Sequence, residues 1–388
     1  MALAVHLREL GVAVRVCAPP DFAGQMSRIG VPFVPLGGSV RELVHGAKPA
    51  TPADAPRVAA ALVASQFDTV GEAARGCDAV VATGLMPAGL PTVAETLGIP
   101  YVFVSLHPCG LPSPHHRPMS RPGKPFPPGV TDNRVLWDLD AGKVQALYGA
   151  ALNSHRARLG LAPVDNVRDH VLTDHPWLAA DPVLAPWPGS PDVDVVRTGA
   201  WMLRDRRPLP PELEAFLDAG APPVYAGLGS VRVQDGVARA AIEAIRANGR
   251  RVVLGRGWAR LAPIDDADDC IAVDEVNHQA LFRRVAAVVH HGGAGTTTTA
   301  ASAGVPQVVV PQIADQPYWA QRVADLGIGA AHDGPAPTTD SLSAALDTAL
   351  AAEIRTRAAA VAGAIRTDGT AEAAALLTRE VRARRAPS

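Results

Sequence analysis

Residues 286–301 read AAVVHHGGAGTTTTAA and join an apolar run, two histidines, a glycine-rich turn and a run of threonines. The apolar half predicts a buried strand that ends near Val289, and the threonines predict a helix that begins at Thr296. Glycines let the backbone approach a ligand closely, and a helix N-terminus offers unpaired N–H groups and a partial positive charge. The stretch therefore predicts a strand–turn–helix unit that binds a diphosphate. Its spacing matches neither G-x-G-x-x-G nor the P-loop, so a tight turn that needs glycine only for its geometry is the alternative.

Strand and helix patterns alternate along both halves of the chain around this unit. Such alternation predicts an α/β fold with two Rossmann-like domains, each built on a doubly wound parallel sheet. A polar, proline-bearing stretch at residues 204–211 is expected to link them. We therefore predict an N-terminal domain at residues 1–203, a C-terminal domain at residues 212–365 and a final helix within residues 366–388.

The composition excludes several classes of protein. The chain has 388 residues, a formal net charge of -2 and 19% charged residues, so neither a disordered chain nor a nucleic-acid-binding protein is expected. Its four cysteines form no CxxC pair and no metal-ligand spacing, which favours free thiols and predicts no metal site. No apolar run is long enough to span a bilayer, and the N-terminus lacks a signal-peptide pattern. We expect a cytoplasmic protein without a membrane span.

Three more loops follow predicted strands and reach the same edge of a sheet, where doubly wound folds bind ligands. Residues 227–230 form a second glycine loop, and Trp258 follows the next strand. The indole of Trp258 could flank a nucleobase or pack between loops. Asp315 and Gln316 could accept and donate hydrogen bonds to vicinal hydroxyls. The other interpretation makes Asp315 a helix N-cap with Pro317 in the first turn.

The motif at residues 290–297, the Asp315–Gln316 pair and the order of the flanking strands resemble the family 1 glycosyltransferases of the GT-B type. Longer segments are similar to the actinomycete enzymes that glycosylate vancomycin-type glycopeptide aglycones. These segments are LRELGVAVRVCAPPD at residues 7–21, LNSHRARLGLAPV at 152–164, TDHPWLAADPVLAP at 173–186, TGAW at 198–201 and DGPAPTTDSLSAAL at 333–346. The likeness covers nearly the whole chain.

The resemblance implies a donor site in the C-terminal domain. The residues expected to hold the donor diphosphate are Ser230, His291, Gly293, Gly295 and Thr296. Asp315 and Gln316 are expected to bind the donor sugar, and Trp258 and Val276 to border the base. Plant members carry a stacking tryptophan at the position of Val276, so the choice between uracil and thymine stays open.

The resemblance also implies the reaction and the acceptor. Two domains facing across a cleft would carry out an inverting, metal-independent transfer from a UDP- or dTDP-sugar, with no other cofactor. The acceptor would be a hydroxyl of a vancomycin- or teicoplanin-type heptapeptide aglycone, bound by the N-terminal domain, and the final helix would return to that domain. We expect a monomer. The alternatives are transfer to another natural-product aglycone such as a polyketide or macrolide, a catalytically inactive nucleotide-sugar-binding paralogue, and a nucleotide-sugar 2-epimerase.

The loop at residues 106–130 is expected to shape the acceptor site, because its prolines preclude regular structure and long irregular loops in compact domains are usually functional or mobile. His107, His115, His116 and Phe126 are its candidate contact residues. A histidine with a near-neutral pKa is a plausible general base, and His107 is the candidate within this chain. The alternative is that these histidines line the acceptor site without taking a proton.

The family begins with a strand and a G-S-R-G-D loop, whose aspartate is the expected general base. This sequence starts at Met1, on residues that resemble the family's first helix. In a doubly wound sheet the first strand is central, so its two neighbours would lose their hydrogen-bonding partner without it. We therefore expect that a short N-terminal segment is missing, and that catalysis by the chain without it is in doubt.

Overall fold

The computed structural model of the protein describes residues 1–45, 51–84, 86–119, 125–229 and 236–385. The chain divides into two compact units. The first unit comprises Met1–Ala180, Trp187–Leu203 and Thr367–Ser388. The second comprises Asp181–Pro186 and Arg204–Arg366.

Strands and helices alternate in both units, as the sequence pattern predicts. The strands are β1 Val16–Ala18, β2 Phe33–Pro35, β3 Val80–Thr83, β4 Tyr101–Ser105, β5 Trp177–Leu178, β6 Val196–Arg197, β7 Val224–Gly227, β8 Val252–Gly255, β9 Cys270–Val273, β10 Ala287–His290, β11 Gln307–Val309 and β12 Gly329–Ala331. The helices are α1 Ala2–Glu9, α2 Ala23–Arg28, α3 Val40–His45, α4 Ala55–Ser65, α5 Gly71–Ala73, α6 Leu90–Leu97, α7 Asn133–Arg158, α8 Val167–Leu172, α9 Pro211–Asp218, α10 Val237–Ala247, α11 His278–Leu281, α12 Ala294–Ala303, α13 Gln316–Asp325, α14 Thr339–Leu350, α15 Ala352–Ala362 and α16 Gly369–Arg385. In the described part of the chain, no helix is long and apolar enough to cross a membrane.

The second unit holds a six-stranded parallel sheet in the order β12-β11-β10-β7-β8-β9. Its central strands β7, β8 and β10 are buried along their whole length. Strands of a parallel sheet are covered by helices on both faces, which explains why they read as continuous apolar runs rather than alternating patterns. The strand order reverses between β7 and β10, and the carboxyl ends of strands at such a switch point are where open α/β sheets bind ligands.

The first unit contains two separate parallel sheets, β1-β2 and β3-β4-β5-β6. Within the described residues, β1 pairs only with β2, and β3 pairs only with β4. The two sheets nevertheless share packing partners: Cys17 of β1 packs into the apolar cluster that contains Val80 and Ala82 of β3. The guanidinium of Arg15 also donates a hydrogen bond to the carbonyl oxygen of Ala73. Strands β1 and β3, each with one unpaired edge in the described residues, therefore belong to one packed unit.

The segment Asp181–Pro186 lies inside the range predicted for the N-terminal domain but packs with the second unit. The Arg322 guanidinium of α13 donates hydrogen bonds to the carbonyl oxygens of Leu184 at 3.0 Å and Val183 at 3.1 Å. The fully buried Asp181 carboxylate accepts from the backbone N–H of Arg366 at 2.8 Å. Polar groups along these six residues therefore find their partners in the second unit. The apolar pattern of residues 178–184 predicts a strand over the whole range, but β5 ends at Leu178.

Replacing Asp181 with alanine should lower the free energy of unfolding of the second unit by about 2–4 kcal/mol. The carboxylate accepts from Val183 N–H at 2.8 Å, Leu184 N–H at 3.2 Å and Arg366 N–H at 2.8 Å, and the variant would leave these donors without an acceptor. Calorimetric unfolding of the two proteins would measure the loss. Asp181→Asn keeps one side-chain oxygen and should lose less; equal stability of Asp181→Ala and the unmodified chain would contradict the prediction.

The predicted linker at residues 204–211 is held by the second unit. The side-chain amide of Asn277 donates to the carbonyl oxygens of Asp205 at 3.1 Å and Arg207 at 2.8 Å. The N–H of Asp205 donates to the side-chain oxygen of Gln279 at 3.2 Å. The stretch therefore runs along the second unit until α9 begins at Pro211.

Candidate functional site

Three loops meet at the carboxyl edge of the second unit's sheet, after β7, β8 and β10. The backbone N–H of Trp258, after β8, donates to the carbonyl oxygen of Gly229, after β7, at 3.0 Å. A Cβ atom on Gly257 would lie 2.4 Å from that same oxygen. Gly257 also has φ +55°, a left-handed conformation that favours glycine. Close backbone contact therefore requires glycine in the β8 loop.

The imidazole of His291 is held between two glycines. A Cβ atom on Gly229 would lie 2.6 Å from Cε1 of His291, and one on Gly293 would lie 2.7 Å from its Nε2. Neither distance is possible between non-bonded atoms, so both positions must be glycine while the ring stays in place. The structure thus brings together the predicted residues His291 and Gly293 with a glycine from the β7 loop.

The neighbouring His290, which was not predicted as a site residue, is fully buried. Its Nδ1 accepts the backbone N–H of Gly292 at 3.0 Å, and its Nε2 lies 2.9 Å from Oε1 of Gln307 on β11. Burial lowers the pKa of His290 to about 3, so the ring is neutral. The only sequence signal for this pair is a glutamine at the start of an otherwise apolar strand.

The helix that follows the turn presents an uncapped N-terminus. Gly293 is the N-cap of α12, and no side chain caps the helix. Uncapped first-turn N–H groups and the helix dipole together favour an anion. The hydroxyls of Thr297, Thr298 and Thr299 donate to carbonyl oxygens four residues earlier. Among the four threonines, only Thr296 has a hydroxyl without a hydrogen bond to the described residues, so the run contributes one free donor rather than four.

The ring nitrogen Nδ1 of His291 is buried and has no hydrogen-bond partner in the described ranges. Burial lowers the pKa of His291, and the carboxylate of Asp315 opposes that shift in part. The imidazole is therefore neutral near pH 7. It lies beside the uncapped N-terminus of α12, where a diphosphate would add negative charge next to the ring.

We expect the affinity for a nucleotide sugar to rise as the pH falls from 8 towards 6, by up to about tenfold per unit. In the free protein the pKa of His291 is lowered, whereas a bound diphosphate would raise it, so the complex binds more protons than the free protein. The affinity rises as the pH falls between the two pKa values, and it does not depend on pH above the higher one. Calorimetric titration with dTDP- or UDP-glucose would measure the slope, because the diphosphate of a nucleotide sugar does not titrate in this range. His291→Gln should remove the slope, and a flat profile in the unmodified chain would contradict the assignment.

The loop with Asp315 and Gln316 contacts the glycine turn. A Cβ atom on Gly292 would lie 3.2 Å from the carbonyl oxygen of Gln316. The Oε1 of Gln316 already accepts the N–H groups of Gln312 at 2.8 Å and Ile313 at 3.1 Å, so it holds its own loop. The indole N–H of Trp319 donates to Oδ2 of Asp315 at 2.7 Å. What these residues can still offer a sugar is the second carboxylate oxygen of Asp315 and the side-chain N–H₂ of Gln316.

The residues predicted to border the base are placed differently from one another. Trp258 is half-buried and adjoins Gly229. Val276 is only 9% exposed and packs in the apolar cluster with Leu281 and Phe282, so its side chain offers little surface to a ligand. The remaining predicted diphosphate contact, Ser230, lies outside the described residues.

His107, the predicted base within the chain, lies in the first unit just after β4. Its Nδ1 is 3.2 Å from Sγ of Cys109, and its carbonyl oxygen accepts the hydroxyl of Ser105 at 2.6 Å. A Cβ atom on Gly110 would lie 2.9 Å from Cε1 of His107. The ring is therefore closely surrounded by its own loop, with one nitrogen engaged by a thiol.

The other predicted acceptor residues differ in exposure. His115 is exposed, whereas His116 lies between the rings of Trp137 at 5.8 Å and Trp187 at 6.0 Å. Burial lowers the pKa of His116. Phe126 was expected to give an apolar wall, but it is 8% exposed and the Lys143 ammonium lies 3.6 Å from its ring centroid. That face of the Phe126 ring is covered by a cation–π contact.

Metal-ligating side chains are not clustered in the parts of the chain that the structure describes. No group of three or more His, Cys, Asp or Glu residues in those ranges could hold a metal ion.

A parallel sheet with a glycine-locked turn at an uncapped helix N-terminus is the arrangement of a Rossmann-like unit. Residues 260–375 match the family described as erythromycin biosynthesis protein CIII-like, C-terminal domain. The glycosyltransferase GtfE of Amycolatopsis orientalis is 58% identical over 380 residues, which cover 97% of this chain and 93% of that protein. The vancomycin aglycone glucosyltransferase of the same organism is 55% identical over 379 residues, with 97% and 93% covered. The chain belongs to this family of antibiotic glycosyltransferases and is a glycosyltransferase.

The fold agrees with that of solved glycosyltransferases. The glycotransferase of kitacinnamycin matches with a TM-score of 0.72 and 21% identity, over 98% of this chain and 94% of that chain. The prediction of a GT-B fold with two Rossmann-like, parallel-sheet domains is confirmed.

Proposed function

We propose that this protein transfers a sugar from a UDP- or dTDP-sugar to a hydroxyl of a vancomycin- or teicoplanin-type heptapeptide aglycone, with inversion and without a metal ion. The observation that carries the proposal is the turn at His291 and Gly293, locked by glycines at the uncapped N-terminus of α12. The aglycone class rests on the relative that is 55% identical over nearly the whole chain.

In the proposed reaction the acceptor oxygen attacks the anomeric carbon from the face opposite the diphosphate. The new carbon–oxygen bond forms as the bond to the diphosphate breaks, and the bonding electrons pass to the leaving oxygen. The helix N-terminus, the imidazole of His291 and the hydroxyl of Thr296 would face the developing charge. Preorganised dipoles of this kind lower the barrier because they need no rearrangement during the reaction.

The acceptor proton needs a base. We propose the aspartate of the expected N-terminal G-S-R-G-D loop for this role, ahead of His107. The Nδ1 of His107 is in contact with the thiol of Cys109, so the ring is already engaged within its own loop. In this scheme His107 positions or lines the acceptor, and it becomes the base only where the aspartate is absent.

A panel of UDP- and dTDP-sugars tested against a glycopeptide aglycone, read by mass, examines the proposal directly. A mass increase of one hexose or deoxyhexose with one donor would support it and identify the sugar. Hydrolysis of the donor with no acceptor product, or transfer only to a polyketide or macrolide aglycone, would overturn the acceptor assignment.

An inactive nucleotide-sugar-binding paralogue is the second candidate, because the Nδ1 of His107, the candidate base within the chain, is in contact with the thiol of Cys109. Such a protein would bind UDP or dTDP and turn over no donor. A 2-epimerase would convert the sugar without any acceptor, which the same mass and sugar analysis would detect.

A further inference from the structure

Two adjacent histidines at the end of β10 have different surroundings. The rings of His290 and His291 are nearly perpendicular, at 87°, with centroids 6.5 Å apart. His291 lies between Gly229 and Gly293 at the proposed diphosphate turn. His290 is instead fully buried in the sheet interior. Its role must therefore be exerted through the groups to which it is hydrogen-bonded.

The hydrogen bonds of His290 define its tautomer. A backbone N–H can only donate, so Nδ1, which is 3.0 Å from the nitrogen of Gly292, carries the lone pair. The neutral ring then has its proton on Nε2 and donates it to Oε1 of Gln307 at 2.9 Å. Burial, which lowers the pKa of His290 to about 3, is consistent with this neutral form.

The glutamine is an unusual choice at its position. Gln307 is fully buried in a strand that continues as Val308 and Val309. Its side-chain nitrogen has no hydrogen-bond partner among the described residues. A buried amide with an unpaired donor costs stability relative to an apolar residue, and such costs are most often retained at functional sites. What Gln307 provides is the acceptor that fixes the His290 tautomer.

The group held by His290 lies at the centre of the turn. Gly292 separates His291 from the N-cap Gly293, has φ +88°, and would place a Cβ atom 2.7 Å from Cγ1 of Val309. Its N–H is directed into the interior, towards His290 Nδ1. This bond therefore fixes the backbone orientation at Gly292. It thereby sets the direction in which the imidazole of His291 and the helix N-terminus at Gly293 point.

We infer that His290 is a positioning residue for donor binding, which orients the diphosphate turn through the Gly292 N–H, and that Gln307 selects the tautomer that makes this bond possible. The inference rests on the proposed function, because the turn matters in this way only if it binds a diphosphate. It assigns a role to two buried side chains that touch no ligand.

Two substitutions of His290 distinguish the role of Nδ1 from that of Nε2. In His290→Asn the side-chain oxygen is attached to Cγ, as Nδ1 is, and can still accept from Gly292. In His290→Gln the amide reaches towards Gln307 and leaves the Gly292 N–H without an acceptor. Both replace a buried ring with a smaller amide, so they serve as controls for each other in stability.

We expect His290→Asn to keep the dissociation constant for UDP or dTDP within about threefold of the unmodified chain, and His290→Gln to raise it at least about tenfold. Thermal unfolding midpoints should fall similarly in both. Equal affinities of the two variants, or loss of affinity that follows only their unfolding midpoints, would overturn the positioning role. If the unmodified chain binds neither nucleotide, the proposed function fails and the variants need not be compared.

A spectroscopic measurement tests the same inference without measuring ligand binding. Nitrogen-15 shifts of labelled histidine in the full chain should show one residue with a proton on Nε2 only, unchanged between pH 5 and 8. That signal should disappear in His290→Asn. A proton on Nδ1, or titration of this signal within the range, would overturn the inference even if the variants fail to fold.

Discussion

Gly293→Ala is expected to weaken binding of UDP or dTDP by about 100-fold, because an ångström-scale displacement of a binding group can cost that much. The new Cβ would lie 2.7 Å from Nε2 of His291. The same ring is also close to Gly229, where a Cβ atom would lie 2.6 Å from Cε1, so little space is left for the imidazole to shift. The N-cap backbone itself, at φ -65° and ψ 138°, is accessible to alanine, so the loss would come from displacing the ring.

A double-mutant cycle identifies the cause of that loss. In a His291→Ala background the ring is absent, and Gly293→Ala should then cost almost nothing further, so the two effects should be strongly non-additive. Gly363→Ala is the matched control within the same unit, because its Cβ would meet only a carbonyl oxygen of Ala360 at 3.6 Å. Additive losses, or a comparable loss in Gly363→Ala, would show that the ring is not held as described. Isothermal titration measures all five proteins.

The second unit could be predicted closely from the sequence, because each of its strands is a short apolar run bounded by turn residues. The stretch at residues 286–301 predicted a strand, a turn and a helix, and the structure has β10 and α12 there. Helix ends followed from local signals too: Gly304, in the left-handed conformation, ends α12. Local rules suffice where one element is buried on both faces and its ends carry their own signals.

Contacts between loops could not be predicted in the same way. Position 229 must be glycine because the ring of His291 fills the space that a side chain would need. This requirement depends on the pairing of β7 with β10, two strands that are far apart in sequence. Three of the four threonines bond back to their own helix, which the pattern of hydroxyls alone does not indicate. The acceptor residues were predicted from one loop, but His116 and Phe126 have partners from elsewhere in the chain, such as Trp187 beside His116 and Lys143 beside Phe126.

The segment Asp181–Pro186 shows a further limit of the sequence. Its apolar residues predicted the continuation of a strand, yet its carbonyl oxygens accept from Arg322, more than a hundred residues later. A partner that distant leaves no periodic signal. Domain boundaries drawn from composition therefore miss a short segment that crosses to the other unit and returns.

Adding a β-strand and the G-S-R-G-D loop in front of Met1 is expected to raise the thermal midpoint of the first unit by at least about 5 °C and to increase sugar transfer by at least about 100-fold. β1 and β3 each have one unpaired edge in the described residues, and a parallel strand between them would supply both ladders.

Two altered extensions separate stability from catalysis in this experiment. An extension in which the loop aspartate is replaced by asparagine should keep the gain in thermal midpoint and lose the gain in transfer, because only the base is removed. An extension with proline at alternate strand positions should lose both, since proline cannot donate to the ladder of β1 or β3. If the unaltered extension changes neither the thermal midpoint nor the rate of sugar transfer, no strand belongs in the space beside β1 and β3. His107 is then the base to test, by His107→Gln in the chain without the extension.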